Sequence, residues 1–230
     1  MNRSPSPAET GLVPTVTLSN GVAMPRLGLG TWPMDDAQVE RAVAQAIDLG
    51  YRMVDTAENY RNETGVGRGV RASGVPREQV FVTTKFNREW HGDQGPGQAL
   101  EASLRRLQME QVDLFLVHWP NPDQDRYVQA FEALTRLQEQ GKVRAIGVSN
   151  FKPAHLERLF AAGLLPQVNQ IQLDPYHLRH DLLTLHRARG IVTECWSPIG
   201  RGEALLGEAA VRQAAERLGK TPAQIVLRWH

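Results

Sequence analysis

Apolar and polar positions along the chain alternate between two periods. Short runs rich in aliphatic and β-branched residues read as strands: Leu27–Leu29, Met53–Asp55, Val80–Thr84, Val112–Val117, Ala145–Val148, Val168–Ile171 and Ile191–Cys195. Between them the apolar residues recur at helical spacing, as in Val39, Val43, Ala46 and Ile47, then Leu100, Leu104 and Leu107, then Phe131, Leu134 and Leu137, then Leu156, Leu159 and Phe160. Strand then helix, repeated, is the pattern of βα units and a parallel sheet, because parallel neighbours need a crossover of a dozen or more residues. Ahead of the repeats, Thr15–Leu18 and Val22–Met24 flank Asn20-Gly21, which predicts a hairpin. Residues 1–14 hold three prolines, two serines and little apolar content, so they are expected to be a disordered lead-in to one domain over 15–230.

The last polar or aromatic residues of six predicted strands are Asp55, Lys85, His118, Ser149, Gln170 and Trp196, separated by 30, 33, 31, 21 and 26 residues. Units of roughly 30 residues suit βαβ repeats. An open doubly wound sheet would share that period. Two features favour a TIM (β/α)8 barrel: no Gly-rich dinucleotide fingerprint follows the first strand, and polar residues recur at every strand end rather than at one switch point. Gly65-x-Gly67-x-Gly69 follows a helix start rather than a strand, which argues against a phosphate loop. Thr221-Pro-Ala-Gln224 is a capping box that starts a last helix near Pro222. Such barrels typically need about 250 residues and eight strands. Seven strands are counted here, so the eighth strand and its following helix are expected to be missing from this chain.

Composition narrows the function classes. With 26 Lys+Arg against 25 Asp+Glu the net charge is +1, too small a field to favour nucleic acid or an anionic membrane surface. A small molecule is the expected partner, and a monomer the expected state. The single cysteine, Cys195, makes no internal disulfide, and neither a signal-peptide pattern nor an apolar run of about 20 residues is present, which predicts a cytoplasmic location. His177 and His180 lack further clustered ligands, so no metal is expected.

Strand ends at the C-terminal face of a βα barrel surround a common mouth. Asp55, Lys85 and His118 stand at such ends, and Tyr60 follows five residues after Asp55. Their chemistry is complementary. A buried ammonium near a phenol would lower the tyrosine value, a carboxylate would keep the lysine charged, and a neutral imidazole could orient the oxygen that receives the phenolic proton.

The sequence resembles the aldo-keto reductase family, prokaryotic type. The motifs that carry the resemblance are Gly28-Leu-Gly-Thr-Trp32, Val54-Asp-Thr-Ala-Glu-Asn-Tyr-Arg-Asn-Glu63, Val82-Thr-Thr-Lys85, Val112-Asp-Leu-Phe-Leu-Val-His-Trp-Pro120, Ile146-Gly-Val-Ser-Asn-Phe151, Val168-Asn-Gln170, Trp196-Ser-Pro-Ile-Gly200 and Thr221-Pro-Ala-Gln-Ile-Val-Leu-Arg-Trp229. The resemblance implies that Asp55, Tyr60, Lys85 and His118 form a catalytic tetrad, with Tyr60 as general acid. It implies NADPH, or NADH, as cofactor. Ser149, Asn150 and Gln170 would bond the nicotinamide carboxamide and Trp196 would stack on its ring, with Gly30, Thr31, Asp55, Ser197, Pro198, Ile199, Gly200 and Arg201 completing the cofactor site. Trp32 and Trp119 match substrate positions, and Phe86 and Trp90, with Tyr60 and His118, are expected to complete that wall. The short polar segment after His118 suits small carbonyl compounds, as in relatives that reduce diketo sugar acids, methylglyoxal and simple aldehydes. Arg201 departs from the small or amide residues common in its loop. The residues that hold the 2′-phosphate in the family fall in the expected missing segment. Two other readings remain at this point: a Schiff-base lyase using Lys85, and a non-catalytic nicotinamide-binding or inactive fragment.

Overall fold

The computed structural model describes residues 13–201 and 203–230, so the expected lead-in lies, up to residue 12, outside the described residues. The chain opens with the hairpin β1 (Thr15–Thr17) and β2 (Ala23–Pro25), paired antiparallel around Gly21 at φ 86°. Seven strands follow: β3 (Leu29–Gly30), β4 (Met53–Asp55), β5 (Phe81–Phe86), β6 (Val112–Val117), β7 (Val143–Ser149), β8 (Val168–Gln172) and β9 (Val192–Trp196). They lie side by side in chain order, all parallel, as predicted. Among the described residues β3 pairs only with β4 and β9 only with β8, so the curved sheet holds seven strands of the eight a closed barrel needs.

The intervening helices are α1 (Asp36–Asp48), α2 (Glu63–Ala72), α3 (Gly95–Leu107), α4 (Tyr127–Glu139), α5 (Pro153–Ala161) and α6 (His180–Arg189), followed by α7 (Glu203–Gly207), α8 (Ala209–Leu218) and α9 (Pro222–Trp229). The box predicted at Thr221 is present, its hydroxyl accepting from the Gln224 N–H at 3.2 Å. A second box, Asp35 with Gln38, starts α1. The first barrel strand begins two residues later than the apolar run suggests. Leu27 is exposed, and the Arg26 N–H extends the hairpin by donating to the Pro14 carbonyl at 2.9 Å.

Period-two alternation divides the side chains between two cores. The outer core joins sheet to helices: Val82, Phe86, Phe115, Val117, Ile146 and Val148 meet Val39, Val43, Leu100, Phe131, Leu134 and Leu156. The inner core fills the lower lumen with Met53, Phe81, Leu114, Leu116, Ala145 and Val168, and the hairpin seals it with Leu18 and Met24. The Asn20 amide on the hairpin turn donates to the Arg144 carbonyl of β7 at 2.9 Å. Apolar filling thus ends partway up the lumen, and the polar strand ends occupy the level above it.

The glycine series in α2 is a packing device. A Cβ on Gly65 would strike the Asp36 carbonyl of α1, one on Gly67 the Leu107 backbone at the end of α3, and one on Gly69 the Glu40 carbonyl and Val43. Three glycines let α2 lie between α1 and α3 at backbone contact. The turn just before α2 carries Tyr60.

Candidate active site

Lys85 extends from β5 into the lumen with no side-chain exposure, and its ammonium has three partners. Nζ donates to Asp55 Oδ2 at 2.7 Å, to the Thr56 carbonyl at 3.0 Å and to Tyr60 Oη at 3.5 Å. The other carboxylate oxygen, Asp55 Oδ1, accepts from Gln170 Nε2 at 2.8 Å, which ties β4 to β8 across the mouth. His118 meets the Tyr60 ring edge-to-face with centroids 5.9 Å apart, and its Nδ1 is buried without a partner. The four residues expected to act together are therefore assembled on one patch.

The loop carrying Tyr60 is fixed by its own polar residues. Asn62 is fully buried, accepts from the Thr56 hydroxyl at 2.9 Å and donates to the Thr31 and Met34 carbonyls. Glu63 accepts from Thr84 Oγ1 and Arg106 Nε, both at 2.6 Å. Glu58 accepts from the Asn87 N–H at 2.7 Å and from Trp90 Nε1 at 2.8 Å. Tyr60 thus sits on a short turn pinned to the segments after β3 and β5, which removes most of the freedom a loop residue would otherwise have.

Burial dominates the electrostatics. It raises Tyr60 above the ordinary tyrosine value, and the Lys85 charge offsets only part of that rise. This corrects the expectation of a lowered phenol: the sequence places an ammonium nearby but does not show how little water reaches the site. A phenol that holds its proton is suited to donate it to an oxygen that becomes strongly basic during reaction. Burial also works against charge on Lys85, yet Asp55 and Tyr60 outweigh it and hold the lysine above its usual range. Burial, aided by Lys85, lowers His118 to about 3, so its imidazole is neutral above that pH. Nuclear magnetic resonance of the His118 ring is expected to show no titration between pH 5 and 8, whereas a midpoint near 6.5 would overturn the assignment of a neutral ring. The sign for stability follows: between the unfolded value near 6.5 and about 3, the unfolded chain binds a proton that folded His118 refuses, so acid destabilises the fold in that window.

Beside the tetrad, a hydrogen-bonded set lines the mouth from β7 to β9. Ser149 Oγ donates to the Gln170 carbonyl at 3.0 Å and accepts from Asn150 Nδ2 at 3.0 Å, and that amide also donates to the His118 carbonyl at 3.1 Å. Asn150 adopts φ 65°, a left-handed turn that Asn tolerates and that carries the chain off the strand. Its Oδ1 accepts from Trp196 Nε1 at 2.8 Å, fixing the indole. Ser197, Gly200 and Arg201 all have positive φ, so the Ser197-Pro198-Ile199-Gly200-Arg201 segment curls back over the mouth. The Arg201 guanidinium lies 5.2 Å from the Trp196 ring centroid and 5.6 Å from that of Trp32, bridging the two sides. Gly30 and Thr31 stand beside Asp55, whose carbonyl accepts from the Thr31 N–H at 3.0 Å, and Thr31 Oγ1 is buried without a partner.

The substrate wall is only partly assembled. Trp32 and Trp119 are half exposed at the mouth, Trp119 stacking on His118. Phe86 faces the other way: it is fully buried in the outer core against Phe115 and His91. Adjacent strand residues point to opposite faces, so Phe86 cannot share the lumen with Lys85. Trp90 packs against the same outer core and its indole N–H is held by Glu58, which makes it a strut under the Tyr60 turn rather than a free wall. Sequence reasoning missed Glu58, Asn62 and Glu63. Their signal was the density of polar side chains directly around Tyr60 in a segment the fold must bury.

The profile of the Aldo/keto reductase family matches residues 25–230. An aldo-keto reductase of Mycolicibacterium smegmatis is 46% identical over 221 residues, covering 94% of this chain and 79% of that protein. The methylglyoxal reductase DkgA of Yersinia pestis is 46% identical over 220 residues, covering 94% of this chain and 78% of its own length. The crystal structure of a Gox0644 mutant in complex with NADPH superposes with a TM-score of 0.91 at 39% identity, covering 96% of this chain and 80% of that one. In both sequence and fold, the chain belongs to the aldo/keto reductase family.

Proposed function

We propose that this chain reduces small aldehydes and ketones to alcohols with NADPH, Tyr60 acting as the general acid. The observation that carries the reading is the Lys85 ammonium, shut from solvent and held between Asp55 Oδ2 and Tyr60 Oη. A relative named methylglyoxal reductase and a solved neighbour that binds NADPH support the substrate class and the cofactor. The residues present suit a dinucleotide: Ser149, Asn150 and Gln170 offer the donors and acceptors an amide requires, Trp196 offers a fixed aromatic face, and the buried Thr31 hydroxyl lacks a partner. When bound, the cofactor supplies the hydride.

The chain's own residues do the rest. Neutral His118 and the Tyr60 hydroxyl converge where a carbonyl oxygen would be received, beside Trp32 and Trp119. Tyr60 releases its Oη proton to that oxygen, and the Lys85 charge stabilises the phenolate left behind. Asp55 and Gln170 hold the lysine in place throughout. Arg201, over Trp196, is placed to meet an anionic group at the cofactor end of the cleft.

A Schiff-base route needs a neutral amine, and Lys85 is held in its charged form. The test combines both readings. Incubation with NADPH and methylglyoxal is expected to consume NADPH, and borohydride trapping with the carbonyl compound alone is expected to leave Lys85 unmodified. A trapped adduct at Lys85 without NADPH consumption would replace the reductase by a lyase.

A further inference from the structure

Glu194 stands on β9 directly opposite Gln170 of β8, so the two side chains leave the sheet on one face, into the lumen. Gln170 is the residue that holds Asp55 Oδ1, and Asp55 holds Lys85 through its other oxygen. Two carboxyl groups therefore flank Gln170, and the charge of each acts on Lys85. Glu194 Oε2 is buried and has no hydrogen-bond partner. The titratable groups that act on it from the neighbouring elements are Asp55 of β4 and Lys85 of β5, and it acts in turn on Tyr60 in the turn after β4. Gln170 on β8 is neutral, and Cys195 on its own strand faces the outer core, with burial pushing its thiol up to about 12. A carboxylate with one buried, unpartnered oxygen and an anion for a neighbour is costly, whereas the protonated acid is not, and the nearby Gln170 amide, which favours the charged form, is outweighed by burial and Asp55.

We propose that Glu194 is a positioning residue that keeps its proton in the resting enzyme, leaving the single Lys85 charge to Asp55 and Tyr60, and that loss of this proton weakens Tyr60 as an acid. The electrostatics agree in sign. Burial, then the Asp55 charge, pushes Glu194 up to about 8, and an anion there raises both Tyr60 and Lys85. The proposal deepens the reductase reading, on which only its kinetic consequence rests.

Glu194→Gln replaces the acid by a neutral side chain of the same shape. With glutamate carboxyl carbons and tyrosine ring carbons labelled, one wild-type carboxyl is expected to titrate near pH 8 and to vanish in E194Q. The Tyr60 resonance, assigned with Y60F, is expected to titrate lower in E194Q by on the order of one pH unit, the effect of removing one buried neighbouring charge. With saturating NADPH and methylglyoxal, the wild-type rate should fall in two steps as pH rises, first as Glu194 ionises and then as Tyr60 does. E194Q should match wild type at pH 6, lack the first step and begin the second earlier. A rate lowered equally at every pH, with no carboxyl titrating near 8, would overturn the proposal and mark Glu194 as an ordinary anionic or packing residue. A chain that consumes no NADPH yet shows both resonance shifts would overturn the reductase reading and leave the Glu194 assignment standing.

Discussion

Replacing Tyr60 by Phe is expected to lower the rate of carbonyl reduction by about 10²–10⁴-fold, the range a positioned general acid supplies. The fold should be unaffected. Tyr60 Oη makes one long hydrogen bond, 3.5 Å to Lys85, and the ring keeps its edge contact with His118 in the variant. The melting temperature should therefore stay close to wild type, and NADPH should bind as before, since the hydroxyl is not among the groups assigned to the cofactor. Steady-state kinetics with methylglyoxal would then show the loss in kcat. Full activity in Y60F would remove the acid from Tyr60, and with it the reason for burying Lys85 beneath it.

Lys85→Met should have a large effect on stability as well as on rate. Removing one partner of a buried ion pair leaves the other without compensation, at a cost of about 3–5 kcal/mol. Asp55, with a side chain only 16% exposed, would lose the ammonium 2.7 Å away and keep one amide donor, Gln170. Chemical denaturation of K85M is expected to show this loss, and D55N/K85M is expected to recover most of it, because neither charge remains. Neither variant should reduce methylglyoxal at an appreciable rate. If the double variant is no more stable than K85M, the pair is not the source of the cost.

Much of this was legible in the sequence because the two periods of the βα repeat are strong and the strand ends are marked by polar residues. Asp55, Lys85, His118, Ser149, Gln170 and Trp196, chosen only as last polar or aromatic residues of apolar runs, stand along one rim of the structure. What failed did so for identifiable reasons. Phe86 cannot belong to the substrate wall because it is adjacent to Lys85 on β5, and adjacency in a strand gives opposite faces. The Tyr60 shift has the opposite sign to the sequence expectation because a sequence names the charges around a phenol but not the water excluded from it. Glu194 lies inside the apolar run Ile191–Cys195, and only the β8–β9 register places it beside Gln170. The packing use of the α2 glycines depends on how closely three helices approach, which no single helix period reveals.

The strand order also bears on how the site comes into being. Each strand of the sheet after β3 pairs with the one made just before it, so the sheet can grow by closing short loops, each at a modest entropic cost. Two described hydrogen bonds reach much further: hairpin to β7, 124 residues apart, and Gln170 to Asp55, 115 residues apart. Such contacts form late, after the intervening chain has been ordered. A partly assembled chain would hold its helices and most of its strands before Asp55 acquired its second partner. Catalytic competence is then a late event in folding, and the rate of recovering activity after denaturation should lag behind the return of helical structure.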